Sequence, residues 1–306
     1  MSPGTGSRMK KGGGMTGKKE ISIQDNPAQW VEEKVKAFIA EDESNRLALD
    51  GKVIYDEPLV GFARGDDPLF RRYKTIIGKF HYTPLEWMRF ALGKKSSRDL
   101  RAKDLRVIGW ILPIAERTRT ENRMVVSVTS RRWAHTRLHG EECNQALRSY
   151  VVSLLQGRGY LAMAPYQSTY FATLRDDRVG ISSNWSERHA VYAAGLGTFG
   201  LSDGLITSKG KAMRCGSVIT NLPAEPTPRT FRDRGDYCLF YREGTCGECI
   251  SRCPVRAITE KGHDKDACRT FVHERMRGYI REHYDIEIHA CGLCQTGVPC
   301  ESGIPE

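Results

Sequence analysis

The sequence predicts an α+β fold followed by a bacterial-type ferredoxin domain built to hold two 4Fe–4S clusters. Two observations carry this expectation. Apolar stripes at helical spacing alternate with short β-branched and aromatic runs as far as Thr220, and eight of the ten cysteines crowd between Cys238 and Cys300. Three segments follow from them: a basic tail over 1–25 expected to be disordered, an α+β domain over 26–225, and a cysteine domain over 226–306.

The elements can be justified in order. Asn26-Pro27 is an N-cap and first-turn signal, and Trp30, Val31, Val35, Phe38 and Ile39 form one apolar face of a helix ending near Asp42. Pro58 to Ala63 reads as a strand opening into the loop Arg64 to Pro68, and Tyr82 to Leu92 as a helix with Pro84 in its first turn. Leu105 to Ile114 and Met124 to Val128 are rich in strand formers and are expected in the core. Glu141 to Gln156 is the clearest helix, since Cys143, Leu147, Tyr150, Val151, Leu154 and Leu155 recur on one side before Gly157-Arg158-Gly159 stops it. Cys143 on that stripe reads as a small core residue. Tyr160 to Ala164 is a further strand.

Glu187 to Ala194 reads as a helix ending in Gly195-Leu196-Gly197-Thr198-Phe199-Gly200. Three glycines in six residues require positive φ or a close approach of backbone to something flat or bulky. Two readings stay open, a helix C-cap with a tight turn or a cradle for a ligand. A dinucleotide fingerprint is excluded, because no strand precedes the glycines. Met213 to Thr220 is a strand carrying Cys215 against the core, and Asn221 to Pro228, with three prolines, is a linker.

Cysteine spacing carries the chemistry. Cys246-x2-Cys249-x3-Cys253-Pro254 reproduces the end of a bacterial ferredoxin run, in which the cysteine before proline ligates the other cluster. That exchange assigns Cys238, Cys246, Cys249 and Cys300 to one cluster and Cys253, Cys268, Cys291 and Cys294 to the second. Two all-thiolate zinc sites would also consume eight cysteines, but they do not call for the C-x3-C-P step. Disulfides are disfavoured by the lack of an apolar leader in the first residues.

Formal net charge is +10. Arg8, Lys10, Lys11, Lys18 and Lys19 in the tail, against Glu20, supply part of it, and each four-thiolate cluster would remove about two charges. The remainder suits a docking patch for an acidic partner better than a specific RNA site. No apolar run approaches the roughly 20 residues of a membrane span, so no membrane association and a cytoplasmic location are expected.

Glu187-Arg188, Ala190, Ala193, the glycine loop, the strand at Cys215 to Thr220 and the paired cysteine runs, taken in that order, resemble the epoxyqueuosine reductase family, which is related to corrinoid-dependent reductive dehalogenases. Arg132-Trp133-Ala134-His135 through Gly140-Glu141-Glu142 also resembles the entry to a helix of their cobalamin domain. The resemblance implies a nitroreductase-like domain holding cobalamin, with Gly195, Leu196, Gly197, Thr198, Phe199 and Gly200 near the macrocycle. It further implies a cytoplasmic reductase that takes electrons from a flavodoxin or ferredoxin and acts on a small-molecule or nucleoside-like electrophile. Ile181-Ser182 stands where the family carries its proton-donating aspartate. No twin-arginine signal and no helical-repeat extension are seen, and specific tRNA binding is not expected. No catalytic residue is assigned; Tyr192 and His189 are candidates also explained as packing residues. The rival class is an electron carrier with a non-catalytic docking domain, which would have a filled core between the glycine loop and the nearer cluster.

Overall fold

The computed structural model describes Met1 and residues 21–306. Most of the expected tail, residues 2–20, lies outside the described residues. The rest of it is ordered: residues 23–25 form a turn, and Ile23 is buried in the main core. In chain order the first elements are α1 (Pro27–Glu41), β1 (Leu59–Arg64), α2 (Pro68–Ile76), α3 (Pro84–Ser96), β2 (Arg106–Pro113), α4 (Glu116–Arg123) and α5 (Arg131–Gln156). β3 (Ala162–Met163), β4 (Thr173–Asp176), β5 (Gly180–Ser183), α6 (Glu187–Ala193), β6 (Gly197–Phe199), β7 (Leu205–Thr207) and β8 (Met213–Thr220) follow.

Local chemistry explains the helix starts. The Asn26 side chain accepts from Gln29 N at 3.1 Å with Pro27 at the first helical position, and Thr83 and Glu86 close a reciprocal capping box on α3. Ser130 caps α5 by accepting from Trp133 N, so this helix begins ten residues before Glu141. The expected strand at Met124 to Val128 is absent. That stretch turns between α4 and α5, with Met124 81% and Val126 74% exposed, because no neighbouring strand is there to cover it.

The principal sheet has the order β1-β2-β8-β3 and is antiparallel throughout. Alternation along β2 divides the core into layers, as the two-residue period of a strand requires. Ile108, Trp110 and Leu112 face α1 and α5 with Cys143, Leu147 and Val151, while Val107 joins Ala190 and Ala193 of α6 on the other side. Both faces are covered. Asn144 of α5 ties the layers together, accepting from Trp110 Nε1 at 2.9 Å and donating to Cys215 O at 2.9 Å.

The cysteine segment contributes α7 (Leu239–Glu243), α8 (Glu248–Ser251), the pair β9 (Ile258–Thr259) and β10 (Gly262–His263), and α9 (Lys265–Thr270), which runs through a π turn over Phe271–Met276 into α10 (Arg277–Tyr284). Phe271, Met276, Ile280 and Ala290 belong to the same apolar core as Val35 and Trp133. The boundary at 225/226 is therefore a change of cysteine content inside one shared core.

Asn144→Ala leaves the Trp110 indole N–H unpaired in a buried layer and takes from the Cys215 carbonyl one of its two side-chain donors, the other being Arg148. It should cost about 2–3 kcal/mol in chemical denaturation, and an unchanged midpoint would contradict this account of the layers.

Candidate active site and cysteine centres

The two expected cysteine groups line two separate cavities. Cys238, Cys246, Cys249 and Cys300 surround a narrow one together with Leu201, Ile206 and Lys211. Cys253, Cys268, Cys291 and Cys294 share a cavity of about 290 Å³ that extends to Trp133, Arg137, Arg188 and Arg214. All eight thiols are free. Among the described residues, no three His, Cys, Asp or Glu donors converge on a single ion position; the quartets ring spaces instead.

Short elements set these positions. Cys238 precedes the first turn of α7, Cys249 lies on α8, Cys268 lies on α9, and Cys291 and Cys294 flank a turn in which Gly292 adopts φ +72°. Ala257 N donates to Cys253 Sγ at 3.2 Å. Burial pushes the Cys249 and Cys268 thiols up to about 11 and Cys291 up to about 12, with the neighbouring sulfurs adding to the shift. Those mutual effects follow the quartets for Cys300, with Cys238 and Cys246, and for Cys268, with Cys253 and Cys294. Cys249 also feels Cys294, so the two centres are neighbours.

A third cavity, of about 770 Å³, opens beside them. Tyr73, His189, Tyr192, Phe199, Gly200 and Asp203 line it, and Arg188 and His263 belong to both this cavity and the one holding the second quartet. Its lining is rich in charge, including Arg72, Arg232, Arg234 and Lys265. The β4–β5 hairpin brings Ile181, Ser182 and Ser183 to the wall. Asp176 is engaged elsewhere, with Arg178.

The glycine loop divides into two roles. Gly195, at φ +78°, turns the chain out of α6, and a Cβ there would meet Pro228 O at 3.1 Å. Gly197 lies so close to Ile206 O in the β6–β7 hairpin that no side chain fits. Thr198 is buried and accepts from Tyr237 N at 2.9 Å, and Leu196 packs against Gly61. Protein thus fills the close approaches at 195 and 197, as a C-cap and tight turn require. Only Phe199 and Gly200 of the six expected residues line the large cavity.

The tip of this hairpin was not legible as a site. Ser202 and Gly204 line the second quartet's cavity, whereas Asp203, at φ +56°, lines the large one. Burial raises the Asp203 carboxyl, but His263, Lys265 and Arg188 overcome it, and the group is held below its ordinary value. Arg188 also donates to Asp203 O. Beneath α6, Glu187 is raised by burial although Arg148 and Ser217 oppose the rise; Arg148 spans Glu187 at 3.3 Å and Glu141 at 3.1 Å.

His189 and Tyr192 do reach the cavity wall. Burial holds His189 down at about 3, and its Nδ1 pairs with Ser186 Oγ at 2.8 Å. Burial likewise lowers His81 to about 4, and its Nε2 accepts from Ser186 N. Burial raises Tyr192 above 10, so its phenol stays protonated while the ring lies on Phe199 and Phe231.

Fold and site define a class: a mixed α/β protein with two thiol quartets beneath a large charged cavity. No protein-family model matches the chain. An epoxyqueuosine reductase of Bacillus anthracis is 30% identical over 125 residues, which cover 39% of this chain and 30% of the relative. One of Gloeobacter violaceus is 33% identical over 125 residues, covering 38% of this chain and 34% of the relative. The match thus spans about a third of these curated relatives. A solved catabolic reductive dehalogenase superposes on 91% of this chain and 37% of its own, at 15% identity and TM-score 0.50, a likeness of fold. The resemblance to epoxyqueuosine reductases holds in sequence over that stretch, and the likeness to the dehalogenase is one of fold. No helix among the described residues is long and apolar enough to cross a membrane.

The neutral histidines set a pH dependence. Their values in the fold lie below the ordinary 6.5, so their contribution is complete above pH 6.5 and is lost as pH falls toward 3, because the unfolded chain takes up the protons. In His189→Gln the slope of unfolding free energy between pH 6.5 and 4 should fall by about one proton. A variant with the wild-type slope would contradict the assignment.

Proposed function

We propose that the chain is an iron–sulfur reductase that holds two 4Fe–4S clusters and a cobalamin and reduces an electrophilic small-molecule or nucleoside-like substrate. The observation that carries this reading is the division of eight free thiols between two adjoining cavities, one of which meets the large cavity at Arg188 and His263. Four thiols ringing a space suit a cubane, whereas zinc draws its sulfurs to about 2.3 Å from one point. When bound, these groups supply one-electron transfer and a low-potential cobalt centre.

The residues of the chain hold, screen and position. Cys238, Cys246, Cys249 and Cys300 are the ligand set proposed for the first cluster, and Cys253, Cys268, Cys291 and Cys294 for the second. Binding must strip the protons of Cys249, Cys268 and Cys291, whose thiols burial keeps neutral at pH 7. The large cavity, of about 770 Å³, is within the range of cofactor sites. An electron carrier with a filled core at this place is the reading it does not favour. Tyr192, protonated at the wall, is the hydrogen donor offered there, while Asp203, held below its ordinary value by His263, Lys265 and Arg188, is an acceptor. A flavodoxin or ferredoxin is the proposed electron donor, and the net charge of +10 suits an acidic partner.

Anoxic reconstitution should give a brown protein with about eight irons per chain that also retains stoichiometric cobalamin through gel filtration. Stoichiometric zinc in a colourless protein would overturn the cluster assignment; brown protein that holds no corrinoid would overturn the cobalamin assignment alone.

A further inference from the structure

Lys211 is the unusual charge in this molecule. It follows the β6–β7 hairpin and is only 3% exposed, yet none of the ion pairs among the described residues involves it. A buried ammonium with no counter-charge costs several kcal/mol, so its position needs an anionic neighbour. The neighbours it has are sulfurs. Lys211 lines the cavity of Cys238, Cys246, Cys249 and Cys300, and its backbone N donates to Cys300 O at 2.9 Å.

Its side chain also reaches toward the second quartet. Nζ donates to Ser202 Oγ at 2.6 Å, and Ser202 lines the cavity of Cys253, Cys268, Cys291 and Cys294. Cys294 lines that same cavity beside Ser202. Gly204 keeps the path open, because a Cβ there would stand 3.0 Å from Lys211 Cε. One ammonium therefore lies against one thiol quartet and reaches the wall of the other's cavity through a single hydroxyl.

We propose that Lys211 is the shared counter-charge of two neighbouring clusters and sets their reduction potentials, acting directly on the first and through Ser202 on the second. The inference rests on the cluster assignment above. Each one-electron reduction adds a negative charge to its cluster, so a fixed cation nearby favours the reduced state and raises the potential. Net charge and hydrogen bonds to sulfur are the two levers that proteins apply to such centres. Lys211 supplies the first, and it keeps the two potentials in step for electrons passing between them.

The test is an anoxic dithionite titration of the reconstituted full chain, followed by electron paramagnetic resonance, with iron and sulfide measured on every sample. Lys211→Met should lower both potentials, with at least a tenfold fall in the reduced-to-oxidised ratio at a fixed potential, equivalent to 59 mV for one electron. Ser202→Ala should lower only the second cluster, and Lys211→Arg should restore wild-type values. Full iron content with unshifted potentials in Lys211→Met overturns the proposal while leaving the cluster assignment intact. Should Lys211→Met fail to hold iron, retention by Lys211→Arg supports a need for charge; equal loss from Lys211→Arg, with Ser202→Ala unshifted, overturns it. A wild-type chain that takes up no iron removes the assignment and the proposal together.

Discussion

The site depends first on one guanidinium. Arg252, next to Cys253, donates to Leu293 O at 3.2 Å and Thr296 O at 3.0 Å, which bracket Cys294, and to Val125 O at 2.9 Å and Asn122 O at 3.1 Å at the α4–α5 connection. A rigid fork of five donors can satisfy that many carbonyls at once, and an ammonium cannot. The contact joins three segments distant in sequence, so it fixes two cysteine runs relative to each other and both relative to the α/β core. Asn122 to Thr296 at 3.0 Å and Glu301 to Arg123 at 2.9 Å fasten the same corner.

From that corner the remaining architecture follows. α5 and α6 cover opposite faces of a four-stranded sheet, and the segment after α6 folds back as a hairpin whose tip separates the large cavity from the second quartet. Cations collect where the sulfurs are. Arg137 is depressed to about 10, mainly by burial and then by Arg214, and it lines the second quartet's cavity beside that residue. Glu141 is the carboxylate near the pair, at 4.0 Å and 3.9 Å.

The sequence disclosed whatever depended on local rules. Caps at Asn26 and Thr83 and alternation in Met213–Thr220 produce elements close to those expected, because each needs only its own neighbours. The run Met124 to Val128 misleads for the opposite reason: strand-forming side chains become a strand only when a partner strand is in reach, and here none is. The start of α5 was hidden by a polar first half, whose Arg132 is buried against Glu121 and Asp50. The cysteine spacing suggests a division into two groups, and Cys238, Cys246, Cys249 and Cys300 line one cavity and Cys253, Cys268, Cys291 and Cys294 another. Lys211, Ser202 and Arg252 carry no such signal, since their importance arises from contacts made after the chain has closed.

The central claim is that Cys253, four residues from Cys249, serves the other centre. Electron paramagnetic resonance of dithionite-reduced, reconstituted Cys253→Ala tests it most directly, beside Cys300→Ala. Cys253→Ala should abolish or alter only the signal of the cluster shared with Cys268, Cys291 and Cys294, and Cys300→Ala only the other. If Cys253→Ala instead destroys the centre built on Cys246 and Cys249 and spares its neighbour, the ligand exchange and the electron path derived from it are wrong.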